Sequence, residues 1–586
     1  MNRSEAQPSR QKSFWSRHEW GTAGLVVLGV SLAIVAPFVW LGNASGHDIG
    51  FHAASWVDVA AQWREGNFFP RWAEWANYGY GEPRFIFYPP LSWLLGAALV
   101  SLLPISAAAG MYIATVQTLA GISAYALARN FAPRGGALIG AACFAANPDA
   151  LLIIYVRSDY AELLAMAFYP LLLLAALRLC GWLRGKSGAR RDLVFFALSF
   201  AAIWLANAPA GVIASYTAAL IFAWGAITER SWKPVTRGAG GLALGFGLAA
   251  FYLIPAAYEE SWVNIAQALS TGLKPTDNFL FTAINDPDHN HFNRVASLMG
   301  VLTVVLTLAL ATAMRRRWRR DGNESDEMRR AWWALLIAAA AACALMVKVT
   351  NPLWKLLPKL RFVQFPWRCM SIVAVVLCVC TAGALAGRKR AWVWVTALFV
   401  ILASAAVYLG RNTWWDADDF PSIQDAVDQK QGFEGTDEYD PLDDDHLDLK
   451  QNQPQAAVLP AEEEKAAPRA RLTVKRWTAE NCVVEAETET PQRIALRLLD
   501  YPAWRVSVNG KQIQPDHLEG VMAMVVPVPA GKSMIEVEFT RTADRTIGGA
   551  VSGASLVLVA LLYAAEKRKI AQPKGKDERL AEVPAL

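Results

Sequence analysis

Long apolar runs recur from one end of this chain to the other, and they restrict it more than any other feature. Runs of roughly 20 mostly apolar residues satisfy their backbone hydrogen bonds as helices that cross a bilayer. Candidate spans lie at 22–41, 107–128, 135–154, 163–182, 193–208, 210–228, 238–256, 298–314, 331–349, 369–387, 391–409 and 546–564, about twelve in all. A soluble chain of 586 residues would be several domains, but 54% hydrophobic residues, 24 tryptophans and a mean hydropathy of +0.23 fit a polytopic membrane protein. A net charge of +5 gives no reason to invoke nucleic acid as a partner. The basic N-terminal stretch runs into the first apolar segment without a small-residue cleavage site, so that segment is expected to be a retained span, not a signal peptide.

The segment 89–104, PPLSWLLGAALVSLLP, is short and bracketed by prolines. If it crossed, Arg129, Arg134 and every later basic loop would fall outside. If it only dips into the outer leaflet, Arg129 and Arg134, RGKSGARR, ERSWKPVTR, RRRWRR, GRKR and EKRK all fall inside with the N-terminus. The second arrangement obeys the positive-inside rule throughout, so 89–104 reads as a re-entrant or interfacial helix with both chain termini cytoplasmic. The stretches 42–88, 155–162, 257–297, 350–368 and 411–545 then face outward.

The expected organisation is a helical transmembrane domain over 1–410 with about eleven spans, with interfacial helices in its first outer loop. An acidic, irregular connector follows over 411–470, including the AEEEKAAP tract. Residues 471–545 alternate with period two in RLTVKRW, CVVEAET, RIALRLL, WRVSVNG, VMAMVVPVP and MIEVEFT, punctuated at Asn509-Gly510 and Ala530-Gly531. That pattern predicts a small antiparallel β-sandwich. Residues 546–586 supply the last span and a basic cytoplasmic tail. Cys143, Cys180, Cys343, Cys378 and Cys380 lie in apolar runs, Cys369 at the edge of one and Cys482 in the sandwich, so no disulfide framework is implied.

The chemistry-bearing residues gather in the outward stretches. Asp48, just beyond the first span, can take a proton from an attacking hydroxyl or orient it; the plain alternative is that it caps the following helix. His47 and His52 flank it, and the three together invite a metal, but metal ligands come as three or four well-spaced groups and the remaining histidines are scattered. Asp286, Asp288, His289 and His291 likewise lack a recognised ligand spacing. A bound divalent metal is therefore not favoured, and no cofactor is assigned. Arg71 and Arg84 sit among Trp72, Tyr80 and Tyr88, where a guanidinium suits a phosphate, with ion pairing to Glu74 or Glu82 as the alternative. YVRSDYAE over 155–162 brings Tyr155, Arg157, Asp159 and Glu162 to a short turn between spans, where ionisable groups are expensive and usually functional. RFVQFPWR over 361–368 adds Gln364, Trp367 and Arg368 at the start of another span.

The run GNFFPRWAEWANYGYGEPRFIFYPPL from Gly66 to Leu91, with Asp48 shortly after the first span, resembles the GT-C superfamily of membrane glycosyltransferases. Within it the chain is most similar to the bacterial membrane proteins labelled "6-pyruvoyl-tetrahydropterin synthase-related", and YVRSDYAE, RFVQFPWR and YPAWRVSVNGKQI share the likeness. The resemblance implies a bacterial inner (cytoplasmic) membrane location, a polyprenyl-phosphate-linked sugar donor, and a glycan, lipid or protein acceptor. It maps a catalytic base onto Asp48 and, more loosely, a second acidic position onto Asp159 or Glu162. Many relatives have two closely spaced acids in the first loop; here His47 precedes Asp48 and the next acid is Asp58. Nothing matches the zinc-histidine site of soluble pterin synthases. The expected function is therefore an extracytoplasmic glycosyltransferase with Asp48, Asp159 and Glu162 catalytic and Arg71, Arg84, Arg157 and Arg368 on the donor phosphate. His47, His52, Trp72, Tyr80, Tyr88, Tyr155, Gln364 and Trp367 would line the site. A lipid-linked saccharide flippase and a non-catalytic envelope-assembly protein are the alternatives.

Overall fold

The computed structural model describes residues 11–183, 189–322, 325–388, 390–442, 449–459, 470–518 and 520–571, with side chains from Glu19 to Glu566. The AEEEKAAP tract, most of the RGKSGARR loop and the tail from 572 lie outside the described residues.

Among the described residues ten helices are long and apolar enough to cross a membrane, from Glu19–Leu41 to Ala543–Glu566. An eleventh candidate is the pair Lys233–Leu248 and Ala250–Trp262, bent by 74°. The expected span at 193–208 forms the helix Ala189–Ala206, which opens on Arg190, Arg191 and Asp192.

Two sets of contacts define the poles of the bundle. At one, Glu19 accepts hydrogen bonds from Tyr125 and Arg129, and Arg134 donates to Thr22 at 2.7 Å. At the other, the Tyr155 hydroxyl donates to the Ile34 carbonyl at 2.6 Å. The helix Pro90–Leu102 has 13 residues and so is about 20 Å long, short of a hydrocarbon core of roughly 30 Å. The Tyr112 hydroxyl, near the start of the next long helix, lies 3.2 Å from Ser92 Oγ and 3.0 Å from the Tyr160 carbonyl. Both ends of Pro90–Leu102 therefore lie at the Tyr155 pole.

The strands at the end of the chain form two antiparallel sheets. One holds Ala456–Leu459, Gln492–Leu499, Asp516–Leu518 and Val521–Val528; the other holds Ala470–Thr478, Asn481–Thr488, Trp504–Val508, Lys511–Ile513 and Gly531–Phe539. Alternate residues of both sheets turn inward, among them Val484, Ile494, Leu496, Val526, Ile535 and Val537. Asn509 and Gly510 both have positive φ, 51° and 77°, as a two-residue hairpin loop between strongly twisted strands requires. Strand Ala456–Leu459 pairs with Gln492–Leu499, so the sandwich takes a strand from the stretch expected to be connector.

The rest of that connector is also more ordered than its acidic composition suggests. It forms the helix Asp419–Asp428, whose Phe420 is buried against Trp56. Trp415–Asp416 pairs with Asn43–Ala44. A Cβ on Gly435 would fall 1.8 Å from Asn77 Oδ1, so only glycine lets the connector lie this close to the first loop.

Candidate active site

Three segments distant in sequence meet at the Tyr155 pole. The first is the approach to the helix Ile49–Arg64. Here the Asp48 N–H donates to the Arg157 carbonyl at 2.9 Å, and Ser158 Oγ accepts from Gly46 N–H at 3.1 Å and donates to the Ala44 carbonyl at 2.6 Å. Gly46 is required at this crossing: a Cβ there would lie 2.5 Å from the Val156 carbonyl oxygen. Asp48 occupies the N-cap position, but its side chain makes no cap hydrogen bond. It reaches instead to Arg157, and the side chain keeps 33% exposure.

The second segment is the turn 153–159. Ile153–Arg157 widens into a π turn, Ser158 is left-handed at φ 56°, and the Asp159 side chain caps the helix Tyr160–Met166 by accepting from Glu162 N–H. The wide turn brings Arg157 to both Asp48 and Asp159. The third is the 3₁₀ turn Pro366–Cys369, which delivers Arg368 into the same space.

The result is a chain of alternating charge: Asp48, Arg157, Asp159, Arg368, Glu162. Arg157 Nη2 lies 3.3 Å from Asp159, and Arg368 lies 2.9 Å from Asp159 through Nη2 and 2.9 Å from Glu162 through Nε. Apart from Asp48 these side chains are 4–5% exposed. Arg157 also lies over the rings of Phe365 and Trp367, at 4.7 and 5.1 Å. Burial pushes the Asp159 carboxyl upward, but the guanidinium charges of Arg368 and Arg157 outweigh it and hold the group well below the usual carboxylate range. Burial and the Arg157 charge lower the pKa of the His47 imidazole.

These groups face a cavity of about 750 Å³. Asp48, Arg157, Asp159, Arg368, Gln364 and Tyr88 line its polar end. From there it runs between the helix Ala208–Glu229 and the bent pair, past Val212, Trp204, Leu253 and Phe246. Phe246 is 39% exposed, so this corridor reaches the outer face of the bundle. Lys359 and Glu260 also line the cavity and pair with each other at 2.8 Å, both partly exposed.

The other residues singled out in the sequence do not line this cavity. Glu162 does not line the cavity and pairs with Arg368 Nε at 2.9 Å. Arg84 is buried against Glu82, over the Phe51 ring, and donates to Thr436 at 3.2 Å; its ion-pair alternative is the one realised. Arg71 lies over Phe69, and its N–H donates to Glu480. Trp72 packs on Tyr501, Trp504 and Phe539, and the Tyr80 carbonyl accepts from Leu499 N–H, so both rings face the sandwich. Tyr155 holds Ile34, and Trp367 stacks beneath Phe365. His52 Nε2 accepts from Tyr160 N–H at 3.1 Å, and His47 packs on Phe292. Asp286 caps the helix Pro287–Asp321, and His291 bonds Asn412. Among the described residues no group of three or more His, Cys, Asp or Glu could hold a metal.

Sequence reasoning missed Lys359 and the corridor walls from 204–212 and 246–257. It also missed Thr436, Glu438 and Tyr439 of the connector, which line the cavity. The Asn207-Ala208-Pro209 break between two apolar runs was the available signal for the corridor.

Fold and site together define a polytopic membrane protein with one cavity that joins buried charges to an apolar corridor. Residues 85–411, more than half of the chain, match the family described as "6-pyruvoyl-tetrahydropterin synthase related domain; membrane protein", and the chain belongs to that family. No curated protein matches the sequence. Among solved structures the chain is similar to ArnT from Cupriavidus metallidurans bound to undecaprenyl phosphate, with 16% identity over 67% of this chain and 64% of that one, and a TM-score of 0.40. It is similar to the arabinofuranosyltransferase AftD from Mycobacteria, with 16% identity over 67% of this chain and 27% of that one, and a TM-score of 0.43. It is also similar to the Archaeoglobus fulgidus oligosaccharyltransferase in its apo form, with 14% identity over 73% and 57%, and a TM-score of 0.35. The chain spans less than two thirds of each of these three proteins.

Proposed function

We propose that this protein is a glycosyltransferase whose site faces away from the cytoplasm and which moves a sugar from a polyprenyl-phosphate carrier to a hydroxyl of a glycan, lipid or protein. The observation that carries the reading is the continuity of the cavity: a charged end with fixed guanidiniums opens into an apolar corridor that reaches the lipid-facing side of the bundle. A molecule with an anionic head and a long hydrocarbon tail matches both parts.

In this account the isoprenoid lies along Val212, Leu253 and Phe246, and the phosphate approaches Arg157. Arg157 Nε–H donates no hydrogen bond to any described residue, whereas Arg368 spends its donors on Glu162, Asp159, Gln364 and the Val363 carbonyl. Arg368 is thus a positioning residue that holds Asp159. Lys359 is a second cation for the phosphate, because its exposed pair with Glu260 is cheap to exchange. Asp48 takes the proton of the acceptor hydroxyl. The hydroxyl oxygen bonds to the anomeric carbon as the carbon–oxygen bond to phosphate breaks, and the electron pair leaves with the polyprenyl phosphate. Fixed cations beside that leaving group stabilise the charge where it develops.

A flippase is the second reading. In its favour, Asp149 is fully buried within the span Arg134–Arg157 and neither of its carboxylate oxygens accepts a hydrogen bond from any described residue. Against it, the charge chain lies at one pole. The test is binding of undecaprenyl phosphate to protein in nanodiscs, with Val212→Trp to fill the corridor. Loss of lipid binding in that variant supports the reading; unchanged binding rejects the corridor as the tail site.

A further inference from the structure

One wall of the cavity has no role in the chemistry above. It comes from the connector, where Thr436, Glu438 and Tyr439 line the cavity beside Phe87 and Tyr252. This wall is built, not draped. The Tyr439 ring stacks on Phe87 at 5.7 Å and 11°. Thr436 N–H donates to Glu82 at 2.8 Å, and Thr436 Oγ1 accepts from Arg84 at 3.2 Å. Asp440 accepts from Asn77 at 2.8 Å through its side chain and from Asn264 N–H at 2.9 Å through its carbonyl. Tyr252 ties the far side down by donating to the Phe87 carbonyl at 2.8 Å.

Within this fixed frame the Glu438 carboxylate makes no hydrogen bond or ion pair with any other described side chain. Its neighbours therefore give it no structural task. Burial pushes it up to about 7, with the charges of Glu82 and Asp437 adding and Arg84 opposing. An acid whose carboxylate is met by its own backbone N–H but by no other described side chain, beside stacked aromatic rings, is the equipment for a sugar. The rings cover an apolar face of the ring, and the carboxylate accepts from its hydroxyls in charge-assisted hydrogen bonds. The wall also adjoins the corridor, because Tyr252 and Leu253 belong to the same helix, Ala250–Glu259.

We infer that Glu438 reads the sugar of the lipid-linked donor, as a specificity-determining residue that accepts hydrogen bonds from the sugar hydroxyls. The inference rests on the transferase reading above. Its geometric core is that Glu438 lines the same cavity as the Phe87–Tyr439 stack and the apolar corridor residue Leu253. The phosphate is held elsewhere, by Arg157 and Lys359, so sugar recognition and phosphate recognition are separable.

The experiment measures affinity in nanodiscs for undecaprenyl phosphate alone and for undecaprenyl phosphate carrying arabinose, mannose, glucose or N-acetylglucosamine. It compares the parent, Glu438→Ala and the size-conserving Glu438→Gln. The expected result is that the parent binds at least one sugar-bearing lipid more tightly than the bare lipid. Glu438→Ala should weaken that complex about tenfold or more while bare-lipid affinity stays within about twofold, and Glu438→Gln should shift the ranking of sugars. Equal loss for bare and sugar-bearing lipid in both variants makes the residue structural and overturns the inference. So does a parent that binds both lipids alike, or variants that bind every sugar-bearing lipid as the parent does. A parent that binds neither lipid overturns the transferase reading itself, a failure distinct from the others.

Discussion

Arg368 holds Asp159 and Glu162 in one guanidinium, at 2.9 Å to each carboxylate, although more than 200 residues of chain separate them. Removing it leaves two buried carboxylates with reduced compensation, which costs about 3–5 kcal/mol. Arg368→Ala should therefore lower thermal stability in detergent by several degrees. Arg368→Lys should recover little of it, because an ammonium cannot meet two carboxylates and the Val363 carbonyl in one plane. Full recovery by lysine would show that only charge matters here.

Gly46 sets the distance between Asp48 and Arg157. Gly46→Ala places a methyl group 2.5 Å from the Val156 carbonyl oxygen, so the first loop must lift. Activity should fall at least about tenfold in a protein that still folds, since a misplacement of about an ångström suffices for that. Gly50→Ala, with nothing within 4 Å of the added Cβ, is the matched control. Equal activity in the two variants would remove the loop contact from the account.

The first loop carries a stability switch away from the cavity. Burial pushes Glu74 up to about 8, with the Asp58 charge adding, and Asp58 itself is pushed up to about 7 by burial. In the unfolded chain such groups titrate near 4, so between these values the native state binds more protons and stability falls as pH rises. Roughly 2 kcal/mol should be lost at Glu74 between pH 6 and pH 8, with levelling above its folded value. A melting series across that range checks it, and Glu74→Gln should flatten the slope. An unchanged slope in Glu74→Gln would mean that Glu74 titrates normally.

The helix Pro90–Leu102 gives a prediction about sidedness. Cysteines replacing Phe68 and Pro104, which flank this helix and are both exposed, should react with a membrane-impermeant reagent from the same side. One replacing Trp232, exposed just beyond the end of the helix Ala208–Glu229, should react from the other. Opposite labelling of positions 68 and 104 would make Pro90–Leu102 a crossing.

The part of the site legible in the sequence is the part made by ionisable residues near apolar runs. Asp48, Arg157, Asp159 and Arg368 stand out because charge at that depth is costly, and the fold brings them together. The aromatic residues are less legible, because a tryptophan beside a membrane looks the same whether it meets a substrate or a sandwich. Trp72 and Tyr80 meet the sandwich. Arg84 shows the same limit: Glu82 two residues away takes its charge, and only the fold reveals that it also braces Thr436. The connector is the largest omission. Its order comes from contacts such as Gly435 against Asn77 and Phe420 against Trp56, which no local pattern encodes. The β-strands from Ala470 onward alternate cleanly and are read directly, whereas Ala456–Leu459 is too short to announce itself.

The central claim is that Asp48 takes a proton during sugar transfer. The most direct measurement is release of undecaprenyl phosphate from sugar-bearing donors by purified protein in nanodiscs, with a panel of glycan, lipid and peptide acceptors, for the parent and Asp48→Asn. The account predicts acceptor-dependent release by the parent, and a loss of about 10²–10⁴-fold in Asp48→Asn with donor affinity retained. Release by Asp48→Asn at the parent's rate, or donor binding by the parent without turnover on any acceptor, would contradict it.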